Sequence, residues 1–381
     1  MFERATFLRT SVLVLFAVVI SACGGGTMKP PAPPACVPST QPEFAYVLNG
    51  NPANTVSMYT VNSCNGSLTP TTPATIPTGF NPESMVVDPS GKFVYVANLV
   101  SNASDLATIS MYTIDSTTGV LTATTPPTVP TGFFPQGIAI DPTGKFVYTA
   151  NSDDNTVSMF TVDSTTGILT PTTPAAVAAG NSPLGVAVDP TGKFAYASNQ
   201  DDGTISMYRI NATTGVLTPL TPATAPGPGD PFVGTVDPSG KFFYVPDNGG
   251  TFIFMYTIDP TSGLLTQNMP PAITAGNGPT SVAVDPSSKF AYVVNRADNT
   301  ISIFTIDPNT GNLTPNTPAL ISTGMTPFAI LVDPSGKFVY VSDEGGAVTI
   351  YTLNSNGTLT SGGGPLTGAP ALAVAITGKS Q

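Results

Sequence analysis

Four kinds of apolar run recur along the chain in a fixed order, separated by polar turn residues. The first follows a proline, as in Pro183-Leu184-Gly185-Val186-Ala187-Val188. The second is Lys-Phe-x-Tyr, as in Lys193-Phe194-Ala195-Tyr196. The third is Thr204-Ile205-Ser206-Met207-Tyr208-Arg209-Ile210, and the fourth starts at Val216-Leu217-Thr218-Pro219 and runs on in Thr and Pro. Short β-branched and aromatic runs bounded by turn residues predict β-strands, here called A to D. No segment has a helical period. The A–B connection is Asp-Pro-Ser/Thr-Gly-Lys-Phe, beginning at Asp88, Asp141, Asp189, Asp237, Asp285 and Asp333, with starts evenly spaced from Asp141 onward and one longer interval before it. Proline presets φ for the turn and glycine supplies the permissive φ at its end. Ser288 takes the glycine position in the fifth copy, where a positive φ would cost about 1 kcal/mol.

Four antiparallel strands per repeat unit form one blade of a β-propeller. The proline opening strand A occurs at 82, 135, 183, 231, 279, 327 and 370, and the Phe of strand B at 44, 93, 146, 194, 242, 290 and 338. The expected fold is therefore all-β, a seven-bladed β-propeller of four-stranded antiparallel blades over residues 43–381. The chain opens on a B strand, Phe44-Ala45-Tyr46-Val47, and closes on an A strand, Ala371 to Ile376. The last strand is expected to complete the first blade and close the ring, which removes two open edges. The recurring Met58, Met111, Met159, Met207 and Met255 of strand C predict adaptable packing between blades. Strand D is the outer edge of each blade, and its prolines discourage edge-to-edge pairing.

The chain ahead of the repeat reads differently. Arg4 and Arg9 precede an apolar run from Val12 to Ile20, too short to span a bilayer, so residues 1–22 predict an export signal. The run ends in Ile20-Ser21-Ala22-Cys23, which resembles a bacterial lipobox; that resemblance implies cleavage before Cys23, its lipidation, and a lipid-anchored place in the cell envelope. A plain secretory signal with an incidental cysteine is the alternative. Residues 23–42 are a Gly- and Pro-rich tether. Outside the cytoplasm the remaining pair, Cys36 and Cys64, suggests a disulfide, against two free buried thiols.

Composition narrows the chemistry. The net charge of −11 argues against nucleic acid as a partner. The 381 residues include no His, which removes the commonest general base and metal ligand. Antiparallel order places the A–B and C–D turns on one face and the B–C and D–A loops on the other. Six lysines lie in the A–B turns. The opposite face gathers Asp105, Asp153, Asp154, Asp201, Asp202, Asp230, Asp247, Asp298, Asp343, Glu83 and Glu344, against Arg296. Such a rim attracts cationic partners, although Asp also serves ordinary solvated turns. The residue after each strand-A proline breaks the repeat and should border the channel mouth: Glu83, Gln136, Leu184, Phe232, Thr280, Phe328 and Ala371. The B–C loop of the second blade carries five extra residues, and Phe133 and Phe134 lie nearby in sequence. An acidic, aromatic pocket of this kind would hold an organic cation, or a Ca²⁺ through oxygen ligands, although no metal-loop spacing is present. The candidate ligand-binding set is Glu83, Gln136, Asp153, Asp154, Asp201, Asp202, Phe232, Asp247, Arg296, Phe328, Asp343 and Glu344. No catalytic residue or resident cofactor is assigned.

The phrase Asp-Pro-x-Gly-Lys-Phe-x-Tyr-Val-x-Asn, followed by Thr-Ile/Val-Ser-Met-Tyr-Thr-Ile-Asp and Thr-Gly-x-Leu-Thr, resembles the seven-bladed lactonase-like propellers and the related Tyr-Val-Thr-Asn repeat proteins. The tag reads Tyr95-Val96-Ala97-Asn98 and Tyr148-Thr149-Ala150-Asn151, and ends in Asp at Asp247 and Asp343. The resemblance covers residues 43–381 and is specific for fold. It implies 6-phosphogluconolactonases and lactone cycloisomerases among the relatives, the latter with His and Arg as catalytic residues. The absence of His and the few cations on the loop face count against a phosphorylated substrate. The expectation is an anchored propeller binding a protein or small molecule through its acidic face without catalysis. The alternative is a lactone hydrolase, with a divalent metal as an optional aid.

Overall fold

The computed structural model describes Cys36, residues 42–99 and residues 106–378. It divides into one unit over residues 1–37 and a second over residues 38–381. The second unit is all-β among its described residues: seven four-stranded antiparallel sheets, each one blade. Blade 3 shows the pattern, with strands A to D at Pro135–Ile140, Phe146–Asn151, Thr156–Val162 and Leu169–Ala178. Strand B is buried along its whole length because both of its faces meet neighbouring blades, whereas strand D is mostly exposed.

The ring closes as the sequence leads one to expect. Ala371–Ile376 pairs antiparallel with Glu43–Asn49, with Ala45 opposite Ile376 and Asn49 opposite Ala371. The Thr377 hydroxyl accepts from the Phe44 amide at 2.9 Å, and the Thr377 amide donates to the Phe44 carbonyl at 2.9 Å. One position departs from expectation. Asn98 pairs with Pro82 in blade 2, so Ala371, opposite Asn49, takes the proline position itself. The true successor is Leu372, and Pro370 lies one residue too early.

The repeated residues form a chain of latches from blade to blade. The Tyr46 hydroxyl of blade 1 donates to the Gly119 carbonyl in the C–D turn of blade 2, and Tyr95 does the same to Gly167 one blade on. The last of these latches runs from Tyr340 of blade 7 to Gly66 of blade 1 at 2.9 Å, across the closure. The strand-B Phe packs beneath the same turn: a Cβ on Gly119 would lie 2.2 Å from the Phe44 ring, so only glycine fits. The methionines do more than fill space. The Met58 thioether accepts the Leu121 amide of the next blade at 3.2 Å, and Met111 and Met159 accept Leu169 and Leu217 likewise.

The A–B turns are held by their own aspartates. Asp88 is buried, and its Oδ1 accepts the amides of Lys92 and Phe93 while Oδ2 accepts the Ser90 amide and hydroxyl. Ser288 has φ of 54°, the strained value anticipated for a residue in the glycine position. Its hydroxyl accepts the Ser239 amide of the previous blade at 3.1 Å, a partial compensation.

Candidate functional site

The A strands line the central axis, and their first residues form the mouth on the B–C and D–A loop face. Immediately after the leading residue, strand A slips by one position against strand B, between Pro82 and Ser84 in blade 2 and between Pro135 and Gly137 in blade 3. The residue inside that bulge has no partner across the ladder, and bulges re-aim side chains in this way. Glu83, Gln136, Leu184, Phe232, Thr280, Phe328 and Leu372 together line one cavity of about 130 Å³ at the mouth. Six of these seven are the residues singled out from the broken repeat. Leu372 replaces Ala371, which is fully buried.

The walls of the cavity differ. Glu83, Ser84 and Gln136, from blades 2 and 3, make a polar side; Leu184, Phe232, Phe328 and Leu372 make a mainly apolar one, interrupted by Thr280 and Ser281 of blade 6. Glu83 is the one ionisable side chain lining the cavity. Burial, followed by the negative charge of Glu344, pushes its carboxyl up to about 7. The Asn81 amide donates to its Oε1 at 2.9 Å. Among the described residues the Gln136 side chain has no hydrogen-bond partner, so its amide is available to a ligand. The Phe232 and Phe328 rings meet edge to face, with centroids 6.0 Å apart and planes at 89°.

The rest of the acidic rim is largely occupied in holding its own loops. In blades 4 and 6 the Asn that ends the strand-B tag ties strand C to the D–A loop: Asn199 donates to Thr204 and Ser206 on strand C and accepts the Gly180 amide of the D–A loop, and Asn295 does the same with Thr300, Ser302 and Gly276. Asp247 and Asp343 stand in this same place. Asp247 accepts the Asp230 amide at 3.0 Å, and Asp343, almost wholly buried, accepts the Ala347 amide at 2.9 Å. Burial raises both carboxyls. Asp154 accepts the Phe133 amide at 2.7 Å, and Asp202 takes both the amide and the side-chain nitrogen of Asn181. Asp298 repeats that clamp on Asn277, whose backbone and side-chain donors hold it below the usual carboxylate range. Asp153 and Asp201 are exposed at loop tips. Arg296 forms a two-oxygen ion pair with Glu344 at 2.6 Å. Arg209, at the end of strand C, is on the opposite face; it lies 4.9 Å over the Phe194 ring and donates to the Thr261 and Ser262 carbonyls.

The opposite face carries comparable carboxylates in its A–B and C–D turns, so the asymmetry is one of net charge, set by the lysines, and not of carboxylate number. Among the described residues no three His, Cys, Asp or Glu side chains converge as metal ligands. The extra residues of the blade 2 loop, with Asp105, and the lipidation candidate Cys23 lie outside the described residues. Cys36 and Cys64 are both in the disulfide state. The bulge register that aims Glu83 inward was not readable from the sequence; the single acidic residue among the seven mouth positions was the available signal.

The described blades define a seven-bladed propeller with a small, half-polar cavity at the mouth of its channel. The chain belongs to the lactonase seven-bladed β-propeller family, which its sequence matches over residues 36–181, 124–232 and 230–369. Similar solved structures include a protein of Bacteroides uniformis provisionally named a 6-phosphogluconolactonase (22% identity, TM-score 0.75, covering 89% of this chain and 100% of that one). A protein of Bacteroides fragilis with the same provisional name is 21% identical, with a TM-score of 0.74 over 90% of this chain and 100% of that one. The periplasmic gluconolactonase of Pseudomonas aeruginosa is 17% identical, with a TM-score of 0.72 over 89% of this chain and 100% of that one. At these identities the likeness is one of fold. No curated protein matches the sequence.

Proposed function

We propose that the chain hydrolyses small lactones at the channel mouth, with Glu83 as general base. The observation that carries this reading is the placement of one carboxyl, raised to about 7, in the same cavity as Gln136 and Ser84. A base titrating near neutrality is poised both to take a proton and to return it. Ionised Glu83 accepts a proton from water as the water oxygen attacks the lactone carbonyl. The Gln136 amide and Ser84 hydroxyl face the same space and are suited to donate to the oxyanion that forms. The ring C–O bond then breaks, and the protonated Glu83 returns its proton to the leaving alkoxide. The product is a hydroxy acid, and Glu83 is again ionised.

Family membership favours this reading over the binding-only one, and so does the commitment of most rim carboxylates to their own loops. A phosphorylated substrate is disfavoured because Arg296, the cation on this face among the described residues, is already paired with Glu344. Hydrolysis of a panel of unphosphorylated lactones, with Ca²⁺ and with chelator, tests the proposal. Glu83→Gln should abolish turnover while the protein still melts cooperatively. Wild-type kcat/KM in that variant would remove Glu83 from the mechanism.

The placement of the enzyme rests on residues 1–23. We propose export and anchoring in a bacterial envelope through acylated Cys23, and pairing of Cys36 with Cys64 to pin the tether to the first blade. Cys23→Ser should move the protein from the membrane to the soluble fraction; retention in the membrane would refute lipid anchoring.

A further inference from the structure

The aromatic side of the mouth is built by departures from the repeat in two blades that are not neighbours. Phe232 belongs to blade 5 and Phe328 to blade 7, yet their rings touch edge to face. Between them, Thr280 of blade 6 turns its hydroxyl to the Phe328 carbonyl at 2.8 Å, so this donor is spent on the wall and not offered to the cavity. Blade 5 is also altered behind Phe232. Strand B there carries Phe243 where the other blades have Val or Ala, and the Phe243 ring fills the place a side chain on Gly234 would take, 2.3 Å from an ideal Cβ. Strand A of this blade is reduced to Thr235–Val236, and Phe232 is held by one backbone bond from its amide to the Pro246 carbonyl at 3.0 Å. The cavity is left at about 130 Å³, well under the roughly 300 Å³ at which ligand pockets usually begin.

We infer that the Phe232–Phe328 pair is the specificity-determining wall of the site, and that it selects small lactones bearing an apolar substituent over polyhydroxylated sugar lactones. This deepens the lactonase reading and rests on it for the identity of the reacting group. With the carbonyl toward Glu83 and Gln136, the far side of the substrate meets Phe232, Phe328, Leu184 and Leu372. An alkyl group gains by leaving water there. Apart from Ser281, whose Oγ accepts the Ile330 amide at 3.4 Å, the hydroxyls of a sugar lactone would face rings and methyls on this side, and unpaired buried polar groups are rejected strongly.

The test compares a γ-lactone carrying a short alkyl chain with glucono-1,5-lactone on the full chain. Wild type should favour the alkyl lactone by about 10-fold or more in kcat/KM. Phe328→Ala should raise KM for the alkyl lactone about 10-fold with kcat little changed and narrow the preference, and Phe328→Leu should restore most of it. Phe232→Leu, with its melt compared to wild type, repeats the test from the other ring. Calorimetric binding of both lactones to Glu83→Gln and to Glu83→Gln/Phe328→Ala separates the two claims. Turnover that depends on Glu83 but shows no alkyl preference overturns the wall and leaves the base. Alkyl-selective binding that is lost with Phe328, without turnover in wild type, overturns the base and leaves the wall. Preference for the sugar lactone, or a ratio unmoved by both Phe substitutions, refutes the inference.

Discussion

Removing the carboxyl of Glu83 should make the protein more stable at alkaline pH even as it removes activity. The carboxyl is raised from 4.5 to about 7, first by burial and then by the charge of Glu344. Each unit is worth about 1.36 kcal/mol, so ionising this group in the folded state costs up to about 3 kcal/mol more than in the unfolded chain. The sign follows from proton binding: between pH 4.5 and about 7 the folded protein holds a proton that the unfolded chain has released. The contribution of Glu83 is thus fully present below 4.5 and is lost as pH rises through about 7. Glu83→Gln keeps the shape and cannot ionise. Urea unfolding at steps from pH 4.5 to 8.5 should show the variant gaining on wild type as pH rises, by up to about 3 kcal/mol at pH 8, with no gain at the acid end. Other raised carboxyls, including Asp247 and Asp343, are common to both proteins and cancel in the difference. The ascending limb of wild-type kcat/KM against pH should have its midpoint near the same value of about 7. A stability difference that is constant from pH 4.5 to 8.5 would refute the assignment of a buried, near-neutral carboxyl to this position.

Three further outcomes are expected. Deleting residues 367–381 removes the inner strand of blade 1 and the Thr377–Phe44 bonds, and should lower Tm sharply in a thermal melt; an unchanged melt would contradict closure by the tail. Ser288→Gly should stabilise the chain by up to about 1 kcal/mol in urea, less whatever the lost Ser239 contact contributed. Phe160→Tyr should add about 1 kcal/mol, because Tyr112 and Tyr208 at the matching position donate to the last carbonyl of the preceding strand D, whereas Phe160 leaves the Pro130 carbonyl beside an open cleft; a loss of stability would count against this reading.

The sequence by itself determined the blade count, the strand order, the use of the tail to close the ring and the face on which the mouth opens. Each of these depends on local periodicity, on turn chemistry that returns once per blade, and on the arithmetic of an incomplete first and last unit. It also named six of the seven mouth residues, because positions that break a repeat stand out against it. The seventh failed because Pro370 mimics the repeated proline one residue early, and only the pairing of Ala371 with Asn49 sets the count. The tertiary structure alone decided which carboxylates are free. Asp154, Asp202 and Asp298 look alike to Glu83 in a list of acidic loop residues, yet their oxygens are taken by amides about twenty positions away in sequence. Glu83 differs because the one-residue slip in strand A turns it toward the axis, where seven blades converge and exclude water. Burial and charge at such a point are sums over residues remote in the chain, and no pattern within a single repeat encodes them.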